Sequence, residues 1–351
     1  MIGDDERFIA LVSKGRRQVQ GVGDVGAVDV GLVCILRDAS FLVQKLIKSE
    51  GDAFGVKDVA GGLACVTCNS AGTLLKKLVK VHIPDDPQFK ALYRFEPYVE
   101  MAIECCQEFN LYRIFSYPDM EASLDVATAL VMHLNECVDR MRRDVKSKRF
   151  LSRLNSYQRS SNKNYKELAE YVEALFERYS RLLVLRIDLS YSKENSKTTQ
   201  AEATQDRERL FENARSNKMF DDMVGYIWKL EHGREKGFHY HVMLFFDGSK
   251  VREDITKAIQ IGRYWTNVVT KGRGLYYNCN AAKRLYKSCG IGMVDHADVQ
   301  MRQGLHKAVV YLTKTDLFMK LQTEGRGMGK MNRPSPKDPR GRPRTACSSG
   351  E

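Results

Sequence analysis

Two apolar runs, residues 223–231 and 237–246, stand either side of the short polar stretch His-Gly-Arg-Glu-Lys, and this pair constrains the fold more than any other feature of the chain. Two strand-length runs joined by so brief a connection specify an antiparallel β-hairpin. The second run ends Val242-Met-Leu-Phe-Phe246, apolar at every position, so its strand is covered on both faces and lies inside a sheet. Leu182-Leu-Val-Leu-Arg-Ile-Asp-Leu-Ser190 reads as another buried strand, and short strands are expected at 275–277 and 291–294. Helical spacing fills the intervals at 165–180, 202–214, 251–269 and 297–314. The expected class is α+β, with an antiparallel central sheet flanked by helices in the C-terminal half.

The part before residue 155 is patterned differently. Apolar residues recur at helical intervals over 41–47, 92–112 and 122–141, punctuated by Pro84, Pro87, Pro97 and Pro118. A mostly helical N-terminal domain is expected there, with no chemical constellation in it. Ser-Tyr-Gln-Arg-Ser-Ser-Asn (156–162) reads as a linker, which puts a domain boundary at 155–163. The expected organisation is 1–160, a helical domain ending in a basic linker; 161–325, the sheet domain; and 326–351, a basic tail expected to be disordered. Gly21-Val-Gly23-Asp-Val-Gly26 satisfies a dinucleotide fingerprint, but no strand precedes it, and it reads as a loop.

Charge narrows the partner. Lys and Arg number 56 against 44 Asp and Glu, a net +12, and an excess of that size suits a polyanion such as nucleic acid. The excess is concentrated at 140–163, with nine basic residues against Asp144, and at 320–351, with eight against Glu324, Asp338 and Glu351. No apolar run reaches the roughly 18 residues of a spanning helix, and no secretory signal opens the chain, so a cytoplasmic protein with no membrane partner is expected. Nine scattered cysteines, an odd count, fit a reducing compartment. Cys65-Val-Thr-Cys68 has the spacing of half a zinc knuckle without a second pair, and is read as thiols.

His239-Tyr-His241 is the sharpest chemical signal. On a strand, residues two apart share a face, so both imidazoles project together. They suit a pair of metal ligands or a hydrogen-bonded core pair; spacing alone leaves both open. Glu231 ends the preceding strand, where antiparallel pairing can bring it across, and a carboxylate would bias the site toward Mg²⁺ or Mn²⁺. A solvated strand-end glutamate is the other reading. In the last helix, Gly304, Lys307, Tyr311 and Lys314 fall on the flank of the apolar stripe, three or four residues apart. A tyrosine between two lysines has what a nucleophile attacking a phosphodiester needs, namely cations that favour phenolate and hold phosphate. A half-buried Tyr packed on lysine stems has the same spacing. Pro339-Arg340-Gly341-Arg342-Pro343-Arg344 matches an AT-hook, which lays Arg-Gly-Arg along a narrow minor groove.

Taken in order, Trp228-Lys-Leu-Glu231, Gly237-Phe-His-Tyr-His-Val-Met-Leu-Phe-Phe246 and Tyr311-Leu-Thr-Lys-Thr-Asp316 resemble the HUH endonucleases. The likeness is nearest to replication initiators of filamentous phages and to the related prophage YagK/YfjJ-type C-terminal domain, and it covers about 165–330. The resemblance implies a palm-like sheet and a divalent metal, Mg²⁺ or Mn²⁺, on His239 and His241, with Glu231 as a further ligand. It implies Tyr311 as nucleophile toward single-stranded or extruded origin DNA, with Lys314 steadying it. The product would be a 5′-phosphotyrosine and a free 3′-hydroxyl for a host polymerase, working with a helicase, in a bacterial cell. Lys307, Arg340, Arg342 and Arg344 are the expected DNA contacts. The function expected on this basis is rolling-circle replication initiation by nicking. An HUH-type transposase or relaxase, and a non-catalytic DNA-binding protein of the same fold, are the alternatives.

Overall fold

The computed structural model describes residues 27–335 except 60, 82, 84–86, 117–121, 234–235, 287 and 314. The glycine-rich stretch at 21–26, the AT-hook-like segment and Lys314 therefore lie outside the described residues. The described residues form two compact units, 27–162 with 315–320 and 163–313 with 321–335.

The first unit contains α1 (Ala27–Leu46), β1 (Phe54–Val59), β2 (Leu63–Cys68), α2 (Ser70–Val79), α3 (Pro87–Leu92), β3 (Tyr93–Phe95), α4 (Pro97–Glu108), α5 (Leu111–Ile114), β4 (Ala122–Ser123) and α6 (Leu124–Asp144). Its helices bury Leu36, Val43, Leu75, Val99, Leu134 and Val138. The helical pattern at 92–112 is broken into β3, α4 and α5. The cause is local: Pro97 opens a new helix, and the Glu96 carboxylate accepts the amide hydrogens of Tyr98 and Val99. A three-stranded sheet, β1-β2-β4, is an element that helical spacing does not announce. Its hairpin reverses at Gly61 and Gly62, both with positive φ. Cys65 and Cys68 lie three apart on β2, so they point to opposite faces and cannot chelate one ion together.

The helix α7 (Lys148–Arg178) runs unbroken through 156–162, where a linker was expected. Those residues make specific contacts: Tyr157 is buried, and the Ser161 hydroxyl donates to the Asp316 carbonyl at 2.6 Å. Polar composition there reflects hydrogen bonding within the first unit.

The second unit follows with β5 (Arg181–Tyr191), α8 (Gln200–Asn213), β6 (Met223–Gly233), β7 (Gly237–Asp247), α9 (Asp254–Tyr264), β8 (Gly274–Asn278), β9 (Gly292–Asp295) and α10 (Val299–Leu312). Beyond α10, β10 (Met319–Leu321) pairs with β3, and β11 (Met328–Lys330) pairs with β6 inside the stretch read above as tail. The fold is α+β with antiparallel pairing, as the sequence pattern implies. The main sheet is ordered β11-β6-β7-β5-β8, and β9 pairs with the other end of β5.

The hairpin β6–β7 sits at the centre, and β7 is buried on both sides. One face presents Leu182, Val184, Ile227, Met243 and Phe245 to Leu168, Leu175, Leu305, Val309 and Leu312 of α7 and α10. The opposite face presents Leu183, Leu185, Trp228, Val242, Leu244 and Phe246 to α8 and α9. Each such side chain, fully buried, contributes roughly 1.5–3 kcal/mol. These two apolar layers supply the burial that holds the sheet.

The edge of β5 is split, because β8 pairs with its residues 187–191 and β9 with 181–184. Asn280 seals the gap. Its Oδ1 accepts the Arg186 amide at 2.8 Å, and its Nδ2 donates to the Val184 carbonyl and to Asp254, each at 2.9 Å.

Candidate metal centre

Antiparallel register builds the site. Glu231 stands directly opposite His239, Lys229 opposite His241, and His241 opposite Asp188 on the other side. Directly opposed residues share a face, so all five project toward the α7/α10 side of the sheet. Glu231, His239 and His241 are buried, and their ligand atoms lie within 4.8 Å of one another. Among the described residues this is the one group of three or more His, Cys, Asp and Glu so placed.

Both imidazoles are turned the same way by their Nδ1 atoms. His241 Nδ1–H donates to Asp188 Oδ1 at 2.7 Å, and His239 Nδ1–H donates to its own strand's Gly237 carbonyl at 3.2 Å. Each therefore directs Nε2 at Glu231, with Oε2 at 3.1 Å from His241 and 3.9 Å from His239. A cation with bonds of about 2.1 Å holds adjacent ligands about 3 Å apart, so two nitrogens and one oxygen at these separations fit a divalent ion after a small contraction. The Asp188–His241 pair has the form of an outer carboxylate that orients a ligating histidine. Gly237 is required where it stands: φ is +64°, and a Cβ would lie 2.1 Å from the Ser196 carbonyl oxygen.

Electrostatics follow from burial and pairing. Burial alone would lower the His241 imidazole, but Asp188 and Glu231 push it up to about 10. Burial alone would raise the Asp188 carboxyl, but His241 and Arg186 hold it well below the usual carboxylate range. Burying ions costs several kcal/mol each, and buried pairs seldom repay it better than apolar residues do. So dense a charged cluster on one face of an otherwise apolar sheet is poor evidence for a stabilising role and marks a candidate functional site.

Tyr311 comes from α10. It is 8% exposed, and its ring lies 6.4 Å from the His241 ring, centre to centre. Arg186 of β5 packs against it, with the guanidinium carbon 4.6 Å from the ring centre. Of the expected lysine pair, Lys307 alone lies among the described residues. Tyr311 belongs to the buried side of α10, while Lys307 is exposed with Nζ 3.2 Å from Ser288 Oγ. Gly304 is not on an open flank either, because a Cβ there would lie 1.8 Å from the Cys289 carbonyl oxygen. The buried face is wide because α10 packs on the sheet and also against 289–290. Of the other expected contacts, Lys314, Arg340, Arg342 and Arg344 lie outside the described residues.

Motif reading missed Arg186, Asp188 and Lys229. A signal was present: Arg186 and Asp188 are two apart in an otherwise apolar strand, so both share a face with a buried partner layer.

Residues 145–329, more than half of the chain, match the family model of the YagK/YfjJ C-terminal domain, and the whole site falls within them. No curated protein matches the chain, and no solved structure does.

Proposed function

The chain belongs to the YagK/YfjJ C-terminal domain family, and from that premise and the site's geometry we propose that it is a metal-dependent DNA nickase of the HUH type that initiates rolling-circle replication. One observation carries the reading: the Glu231/His239/His241 triad and the ring of Tyr311 lie on the same side of the sheet, with Tyr311 beside His241. A divalent ion, Mg²⁺ or Mn²⁺, held by Glu231, His239 and His241 would supply a Lewis acid to the scissile phosphate. With an ion bound, Asp188 would hold the neutral His241 in the tautomer that offers Nε2. Tyr311 Oη forms the new bond to phosphorus as the bond to the 3′-oxygen breaks, and the phenol's proton ends on that oxygen. The products are a 5′-phosphotyrosine and a 3′-hydroxyl. One ester replaces another, so a later 3′-hydroxyl can reverse the step and close a circle.

Lys314 and Lys307 remain the proposed lysine contacts on the DNA side, and the basic tail with Arg340, Arg342 and Arg344 a proposed tether. A second reading is favoured by one observation: Asp188, His241 and Glu231 already satisfy one another as a core network. On that reading the protein binds DNA without cutting it.

Incubation of the full chain with end-labelled single-stranded origin DNA separates the two. The nickase yields a covalent adduct that requires Mg²⁺ or Mn²⁺, and Tyr311→Phe abolishes it while binding persists. Mass spectrometry of the DNA-linked peptide should place the linkage on Tyr311. An adduct formed by Tyr311→Phe would remove that tyrosine from the mechanism, and no adduct under any metal would favour the binding protein.

A further inference from the structure

We propose that Arg186 forms an anion subsite for one phosphodiester group beside the Glu231/His239/His241 centre, so that a divalent ion and the diester bind cooperatively. The proposal rests on the metal-centre reading above and identifies the group that receives the substrate's charge. Arg186 is 4% exposed and projects from the same face of β5 as Asp188. Its Nε makes no hydrogen bond. The near carboxylate oxygen, Asp188 Oδ1, is 3.6 Å from Nε and is already engaged by His241 at 2.7 Å. A buried charged donor without an acceptor is costly, and such groups mark places where a ligand completes the bonding.

The balance of charge points the same way. This face carries Arg186 and Lys229, each under 7% exposed, against Asp188 and Glu231. Two formal positive charges meet two negative ones. Divalent ions are commonly held by carboxylate-rich shells that neutralise them. With both histidines neutral, as metal ligands must be, the protein's own charges balance, so a bound divalent ion leaves an excess of two buried positive charges. A monoanionic diester reduces that excess, and the ion in turn strengthens the anion's attraction. The planar guanidinium presents parallel N–H donors that match two phosphate oxygens. Because Arg186 also touches the Tyr311 ring, an anion drawn to it is brought to the tyrosine and the centre together.

The test is Mn²⁺ binding to the full chain, followed by the electron paramagnetic resonance of free Mn²⁺. It is run with and without thymidylyl-thymidine, which carries one phosphodiester, with KCl matching ionic strength. Saturating dinucleotide should tighten Mn²⁺ about fivefold or more, and Mn²⁺ should tighten the dinucleotide by the same factor. Arg186→Met should bind Mn²⁺ at least as tightly without dinucleotide, because a nearby positive charge is gone, and should lose the tightening. Arg186→Lys, which keeps charge but not the fork, should retain part of it. Wild-type Mn²⁺ binding indifferent to dinucleotide would overturn the subsite and leave the metal centre standing, whether or not the variants fold. Full tightening in folded Arg186→Met would also overturn it. Absence of Mn²⁺ binding by the wild type would overturn the centre and the subsite together.

Discussion

Asp188 and the Gly237 carbonyl act on the two imidazoles through their Nδ1 atoms, and the consequences are measurable one residue at a time. Asp188→Asn removes the charge that fixes the His241 tautomer. Loss of such an outer partner weakens metal binding about 10–100-fold, and a Mn²⁺ titration of the variant should show it; unchanged affinity would mean that Asp188 does not orient a ligand. His241 also sets a pH dependence. Its folded value, about 10, lies above the unfolded value of about 6.5. The metal-free protein therefore holds this pairing's full contribution below about pH 6.5 and loses it as pH rises toward 10. The melting temperature of chelator-treated protein should fall across that window, and Asp188→Asn should flatten the fall. The histidine pair and Glu231 were legible because strand period and hairpin pairing decide which side chains share a face. Of Arg186 only the face was legible, because one arginine in an apolar strand gives no hint of the ring it will meet from another element.

At the scale of elements, β5 shares one edge between two strands, and Asn280 closes the break. Asn280→Ala leaves the Arg186 amide and the Val184 carbonyl buried without partners. Each orphan costs about 1–3 kcal/mol, so the variant should lose roughly 3 kcal/mol, read as a lower urea midpoint. An unchanged midpoint would show that the break needs no seal. Asn280 lies in an irregular segment, and no periodicity marks it. The hairpin β6–β7 and helices α8 and α10 were readable from spacing alone, within a few residues. The linker reading failed for α7 because serine and asparagine are ambiguous locally, and the partner that makes Ser161 helical and buried, the Asp316 carbonyl, is 155 residues away.

At the scale of the whole molecule, the net charge of +12 predicts polyanion affinity that falls steeply with salt. Truncation after residue 335 removes Lys337, Arg340, Arg342 and Arg344. If the tail tethers single-stranded DNA, the slope of log affinity against log salt should shrink by about 3, at roughly 0.7 per contact. A slope unaffected by truncation would confine binding to the rest of the chain. No described helix is long and apolar enough to cross a membrane. The α+β class, the buried hairpin and the three candidate metal ligands are properties of the sequence itself, since apolar periodicity and strand alternation are local rules that neighbouring residues obey together. That Asp188 locks His241, that Arg186 lies against Tyr311, and that Asn280 mends β5 were decided only by tertiary structure. Those contacts join residues from separate strands and helices, and their energies depend on distances that appear once the two apolar layers have closed on the sheet.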